Sequence, residues 1–206
     1  MNKFAGYFFV KRVLDIYVSI IILAFLFPLF VICAIAIKID SKGPIFYRWR
    51  IIGQKQKIIK SYKFRSMTKD AEEHEATLRE MGQNEMGSIY LKMKRDPRIT
   101  SVGKILRKYS IDEIPYLISV IKGDMSLVGA RPVRLSEYNK IEDWHKKRFD
   151  MKPGLSSLWV IKGKNKIDNF NEIVKLDLEY ERDSSFLMDI KILIKTIPII
   201  LFGKNY

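Results

Sequence analysis

Cysteine is nearly absent: the 206 residues hold one, Cys33, which excludes an internal disulfide and any cysteine-built zinc site. Histidine is almost as scarce. His74 and His145 lie far apart without metal-ligand spacing, which argues against a His-built transition-metal centre and leaves both as expected surface residues. No P-loop and no Gly-x-Gly-x-x-Gly turn occurs, so the common nucleotide cradles are missing, as are internal repeats and low-complexity linkers. Acidic side chains are the minority, 23 against 37 Lys and Arg, for a formal net charge of +14. That surplus attracts polyanions: nucleic acid, anionic lipid head groups or phosphate-bearing substrates. No helix-turn-helix, RRM or zinc-finger pattern supplies groove-reading logic, so a nucleic-acid role has only charge in its favour. With 48% hydrophobic and 12% aromatic residues the chain is not disordered, and its length suits one domain with its own core.

What the chain does have is a long apolar run. Residues 14–37 contain one charge, Asp15, and are long enough as a helix to reach through a bilayer core. The run is too long for a signal-peptide core, and Lys38, Asp40 and Lys42 follow it where a small-residue cleavage site would stand, so it is expected to stay on the protein. Pro28 sits just past its middle, where it removes a backbone hydrogen bond and predicts a kink. Lys3, Lys11 and Arg12 precede the run and Lys38, Lys42, Arg48 and Arg50 follow it, so both ends prefer the cytoplasmic side. Two forms fit: a single-pass anchor with a tolerated proline, or a helix that enters, bends and leaves by the same face. The spacing of Asp15 predicts pairing with Lys11 or Arg12, and Cys33 reads as a small hydrophobe.

Downstream lies the most basic stretch, residues 38–69, with ten Lys or Arg against one acid, Asp40. Residues 45–52 and 58–64 read as strands around a turn at 53–57, and residues 69–81 as a charged helix before a glycine-containing loop. Helices are expected over 102–108 and 110–122, the second stopped by Gly123, then a loop over 123–132. An amphipathic helix is expected over 135–149, turns at 153–154 and 163–165, and helices over 169–182 and 186–202. The last is very apolar, with a kink expected at Pro198, and suits a core or membrane-interface helix better than a spanning one because Asp189, Lys191 and Lys195 interrupt it.

Ser110-Ile111-Asp112-Glu113 carries the most chemistry. Ser-x-x-Glu is first of all a capping box, with Ser110 as N-cap and Glu113 reaching back. A carboxylate in the first turn of a helix stays ionised, and two adjacent carboxylates can divide nucleophile or metal-ligand work from acid–base work. Phosphoryl chemistry also needs cations aimed at phosphate oxygens. Lys63 and Arg65, Arg107 and Arg131 sit in short motifs around this pair, although each alone is more often a solvated charge.

In order along the chain these motifs are Lys11-Arg12-Val13-Leu14-Asp15, Gly43-Pro44-Ile45-Phe46-Tyr47-Arg48, Tyr62-Lys63-Phe64-Arg65-Ser66-Met67, Asp96-Pro97-Arg98, Leu106-Arg107 through Ile114-Pro115, Lys122-Gly123-Asp124-Met125-Ser126-Leu127-Val128-Gly129 and Lys152-Pro153-Gly154-Leu155. The ordered set resembles the bacterial sugar transferase family, small monotopic polyprenyl-phosphate phosphoglycosyl transferases. The resemblance implies an α+β fold, mainly helical with a few short strands. It also implies a re-entrant helix broken at Pro28 over residues 1–40, and over residues 41–206 a catalytic domain with amphipathic interfacial helices on the cytoplasmic face of the bacterial inner membrane. It implies transfer of a sugar phosphate from a nucleotide-diphosphate sugar, usually a uridine diphosphate sugar, to undecaprenyl phosphate, the first membrane step in making a cell-surface glycan. The family's dyad falls on Asp112, which would form a covalent phosphosugar intermediate, and Glu113, which would assist proton transfer. Magnesium would sit at Asp112, and Lys63, Arg65, Arg107 and Arg131 would contact phosphate. Implied partners are the donor, undecaprenyl phosphate, membrane lipids and other copies of the chain, not nucleic acid. The extra N-terminal transmembrane module of larger relatives is expected to be missing. Ala130 stands where proline is usual, with a looser loop expected; Lys164 stands where arginine is usual and Val160 where glutamine is frequent. The competing reading is a catalytically silent relative or scaffold that holds anionic lipid on its basic face.

Overall fold

In the computed structural model, which describes residues 3–80, 89, 93, 96–163, 167 and 169–203, the apolar run folds as two helices, α1 (Lys3–Phe25) and α2 (Phe27–Asp40). There follow β1 (Phe46–Ile52), β2 (Ile58–Phe64), α3 (Glu73–Glu80), α4 (Ser101–Lys108), α5 (Tyr116–Lys122), β3 (Ser126–Val128), β4 (Val133–Arg134) and α6 (Leu135–Tyr138). The chain continues with β5 (Gly154–Ser156), α7 (Leu158–Gly163), α8 (Phe170–Asp183) and α9 (Phe186–Leu201). Mixed helix and short strand is therefore correct as a class.

The α1–α2 junction bends by 62°, and among the described residues no single helix is long and apolar enough to cross a bilayer. The break falls at Leu26, two residues before the expected Pro28, which instead occupies the first turn of α2. A proline is tolerated there, but having no N–H it cannot extend α1, so the preceding turn absorbs the bend. The pair is inside out. Asp15 and Ser19 are buried, whereas Phe9, Phe25, Ile32 and Ile39 project outward with 62–82% of their surface exposed. Inward, Val18, Ile22 and Leu23 pack with Ile51, Leu117 and Val120, while Cys33 and Ile37 pack with Phe64 and Leu106.

Polar groups lock α1 in place. Asp15 accepts from Ser126 Oγ at 2.7 Å and Leu127 N–H at 3.2 Å, and Lys11 stands 3.9 Å away. Lys11 makes its shorter contact with Asp189 of α9, 2.9 Å, and Asp189 also accepts from Tyr7 and Tyr180. Arg12 does not pair with Asp15; it donates to the carbonyls of Val120 and Ile121 at the C-terminal end of α5. Gly123, at φ +94°, ends the helix there, so these last carbonyls have no i+4 N–H and the guanidinium closes the helix end. Beyond its buried Asp189 and Ile192, α9 exposes Leu187, Ile194 and Leu201, repeating the outward apolar pattern of α1 and α2.

The hairpin β1–β2 pairs antiparallel, and β4 joins the other edge of β1. Period-two alternation places Tyr47, Trp49, Ile51, Ile59, Ser61 and Lys63 on the face that meets α5. Two expected loops instead supply the parallel pair β3–β5. Gly129 and Gly154 permit it: a Cβ on Gly129 would lie 2.3 Å from the carbonyl of Lys152, and one on Gly154 would lie 2.1 Å from the Gly129 nitrogen.

The single helix expected over residues 135–149 is divided into α6 and a 3-10 stretch, Asp143–Asp150. Glu142 starts the second piece in extended backbone, with its N–H bonded to His145 Nδ1 and its carboxylate to Trp144, so local side-chain bonds replace helical ones. His145 is consequently buried, 1% exposed and bonded to Asn171, contrary to the surface position expected of it, whereas His74 is exposed. The charged helix expected from residue 69 begins at Glu73, after a turn.

Candidate active site

The capping box at Ser110 does not form. Ser110 takes the left-handed conformation, φ 53°, and the Glu113 N–H bonds to its carbonyl, not its hydroxyl. Residues Ile111–Glu113 make one 3-10 turn, and α5 begins only after Pro115, whose missing N–H interrupts a continuous helix. Asp112 is nonetheless buried, 6% exposed, beside a less buried Glu113. The turn rests against β2, which carries Lys63.

Lys63 binds this neighbourhood together. Burial pushes its ammonium down to about 8; Asp112 opposes the shift, Arg134 and Arg107 reinforce it, and Glu113 opposes it more weakly. Its Nζ lies 4.9 Å from the ring centre of Trp49 and 5.8 Å from that of Tyr47, its direct partner across the hairpin. Trp49 stacks on Tyr116 at 5.4 Å with an 11° interplanar angle. Burial, then Glu113 and Asp112, raise the Tyr116 phenol well above its ordinary value, while Arg134 and Arg131 act in the other direction. Lys63 from β2 and Tyr116 of α5 both feel the acidic pair and the charge of Arg134 from β4; Lys63 also feels Arg107 from the last turn of α4, and Tyr116 feels Arg131, so these cations share the neighbourhood of the turn.

Arg134 was not among the residues that sequence motifs single out. It meets Glu75 at 3.2 Å and Glu137 at 3.7 Å, which anchors it beside Tyr47 and Tyr116. Arg131 lies with its guanidinium 3.9 Å over the ring of Trp159. Arg65 is elsewhere. It donates to the Ile37 and Ser41 carbonyls and to Ser41 Oγ, closing the C-terminal end of α2. The strand ends at Phe64, so Arg65 leaves the face that Lys63 shares. Ala130 tightens its loop where a looser one was expected: its N–H donates to Lys152 and its carbonyl accepts from Gly154, and proline would lack that donor. Val160 packs against the cluster that holds Trp159, and Lys164 lies outside the described residues.

A carboxylate pair with cations in its neighbourhood suits chemistry on a phosphate, where catalysis is mostly positioning and charge stabilisation. No group of three or more His, Cys, Asp or Glu side chains stands together among the described residues. A hard cation that keeps its water and shares substrate phosphates needs only one or two carboxylates, so the donor chemistry of Asp112 and Glu113 fits magnesium.

The sequence profile of the bacterial sugar transferases matches residues 6–203. The chain belongs to that family. Among similar bacterial sugar transferases is the galactosyl transferase CpsE of Streptococcus agalactiae serotype III, 42% identical over 94% of this chain and 42% of the relative. The exopolysaccharide production protein ExoY of Sinorhizobium fredii is 35% identical over 95% of this chain and 87% of the relative. The UDP-glucose:undecaprenyl-phosphate glucose-1-phosphate transferase of Escherichia coli K12 is 34% identical over 91% and 39%. The chain thus spans about two fifths of CpsE and of the Escherichia coli enzyme, and most of ExoY.

Proposed function

We propose that this sugar transferase moves a sugar phosphate from a nucleotide-diphosphate sugar to undecaprenyl phosphate, at a membrane surface facing the cytoplasm. The observation that carries this reading is the Asp112–Glu113 turn packed on β2, where Lys63 feels both carboxylates and the charges of Arg107 and Arg134, in a chain of this family. Lys63, Arg107, Arg131 and Arg134 bind and orient the diphosphate. An Asp112 carboxylate oxygen bonds to the phosphorus that bears the sugar, the bond to the nucleoside phosphate breaks, and nucleoside monophosphate leaves with the electron pair. Glu113 takes the proton of the acceptor lipid phosphate, whose oxygen then bonds to the same phosphorus as the Asp112 acyl phosphate bond breaks. The product is an undecaprenyl diphosphate sugar, Asp112 leaves as the carboxylate, and Glu113 gives its proton to solvent water, which restores the pair. Magnesium would be held by Asp112 together with substrate phosphate oxygens, and when bound supplies neutralisation of phosphate charge.

The outward apolar faces of α1, α2 and α9 support a re-entrant seat in one leaflet, with residues 1–40 as the membrane element and residues 41–206 as the catalytic body. Lipid carrier and soluble donor then meet at the 3-10 turn. Incubation of the full chain with undecaprenyl phosphate and a panel of nucleotide sugars tests the reading: one donor releases nucleoside monophosphate over many turnovers with the lipid phosphate present, and at most one equivalent per enzyme without it. No release from any donor, with folded protein, refutes it in favour of a silent lipid-binding relative.

A further inference from the structure

Arg131 has both of its main-chain polar groups gripped by one buried ion pair. Its N–H donates to Asp177 Oδ1 at 3.2 Å, and its carbonyl accepts from Arg148 Nη2. The same Nη2 lies 2.5 Å from Asp177 Oδ2, and the two side chains are 0% and 1% exposed. Three separate pieces of chain converge here: Arg148 from the 3-10 stretch, Asp177 from α8 and Trp159 from α7, the last under the Arg131 guanidinium. The preceding residue, Ala130, is pinned to residues 152 and 154, and the following one is Pro132, whose φ is fixed by its ring.

A buried ion pair is a poor means of stabilising a core, because desolvation of two charges offsets most of their attraction. Burial pushes the Asp177 carboxyl up to about 6 in spite of the opposing Arg148 charge. Such a pair is better explained by what it specifies, and its hydrogen bonds go to the backbone of a single residue. A planar guanidinium recognises phosphate oxygens only from one direction, so its backbone origin and ring platform determine whether the fork meets them.

We propose that the Arg148–Asp177 pair is a positioning device for Arg131, fixing where that guanidinium meets the donor's diphosphate. This rests on the reading of Arg131 as a phosphate contact of the proposed transferase. Misplacing a substrate-orienting group by about 1 Å lowers turnover by roughly a hundredfold. The test is kcat/KM for the nucleotide sugar in Arg148→Lys and Asp177→Asn, each alone and each combined with Arg131→Ala. A lysine side chain is one atom shorter, so its ammonium falls short of the point where Nη2 meets both acceptors, and asparagine keeps the Oδ1 acceptor while losing the charge. Each single variant lowers kcat/KM by about ten- to a hundredfold, and neither lowers it further once Arg131 is alanine. A loss of folded enzyme multiplies through every background, so losses that multiply in the double variants overturn the positioning role. If Arg148→Lys does not fold, the nearly isosteric Asp177→Asn carries the same comparison. Wild-type kcat/KM in Arg131→Ala alone refutes the phosphate contact itself and the positioning role with it.

Discussion

Lys63 offers a quantitative handle on the site because its charge changes within an accessible pH range. With burial holding its ammonium at about 8, the free enzyme is about 90% protonated there at pH 7 and about 10% at pH 9. If only the charged form binds the donor's diphosphate, kcat/KM for the nucleotide sugar falls about tenfold between those values, since that parameter reports the free enzyme. Stability moves the other way. An unfolded lysine keeps its proton up to its ordinary 10.5, so between about 8 and 10.5 the unfolded chain binds more protons and this group favours folding as pH rises. Falling activity therefore cannot be assigned to unfolding at this residue. The decisive variant is Lys63→Arg. A guanidinium stays charged throughout, so the variant loses the alkaline limb near pH 8, whatever its absolute rate. The assay is nucleoside monophosphate release at subsaturating donor from pH 6.5 to 9.5, with thermal unfolding followed in the same buffers. A flat wild-type profile from pH 7 to 9, or an unchanged limb in Lys63→Arg, refutes the assignment.

Asp112→Asn removes charge without changing shape and is expected to lower transfer at least about a thousandfold while the protein stays folded. Mass spectrometry after incubation with donor alone should find the sugar phosphate on wild type and none on the variant; an adduct at another residue would move the nucleophile. Chelation of divalent cations is expected to stop nucleoside monophosphate release and magnesium to restore it; indifference would remove the metal from Asp112. Asp15→Ala leaves the buried Ser126 hydroxyl and Leu127 N–H without their acceptor. At about 1–3 kcal/mol for each orphaned group the expected loss of stability is about 2–6 kcal/mol, and an unfolding midpoint within error of wild type would deny Asp15 its part in seating α1.

Elements set by local pattern were legible in the sequence. The hairpin was readable because Tyr47, Trp49 and Ile51 alternate with Arg48 and Arg50, and a turn-prone stretch at 53–57 separates this run from a second one rich in β-branched and aromatic residues. The bent apolar pair was readable because composition and one proline suffice. The errors came where a local signal met a stronger competitor. Ser110 satisfied the capping-box pattern, but Pro115 lies too close for the helix to run through, and the serine turned left-handed. Strands β3 and β5 have three residues each, too short to show a period, and exist because two glycines let their backbones meet.

The site divides along the same line. Motifs named Lys63, Arg107, Arg131, Asp112 and Glu113 but could not separate Lys63 from Arg65, since both have the parity of one strand face. The separation depends on where β2 stops: one residue on, the Arg65 side chain turns to the Ile37 and Ser41 carbonyls at the end of α2. Arg134 belongs to no motif and comes close to Lys63 and Tyr116 because β4 docks on the edge of β1. The cations around the acidic pair thus come from β2, α4 and β4, with Arg131 from the loop between β3 and β4. Their convergence is a property of strand order, not of any one stretch of residues. Residue types fix the available chemistry; a two-residue edge strand and a helix end decide which charges take part in it.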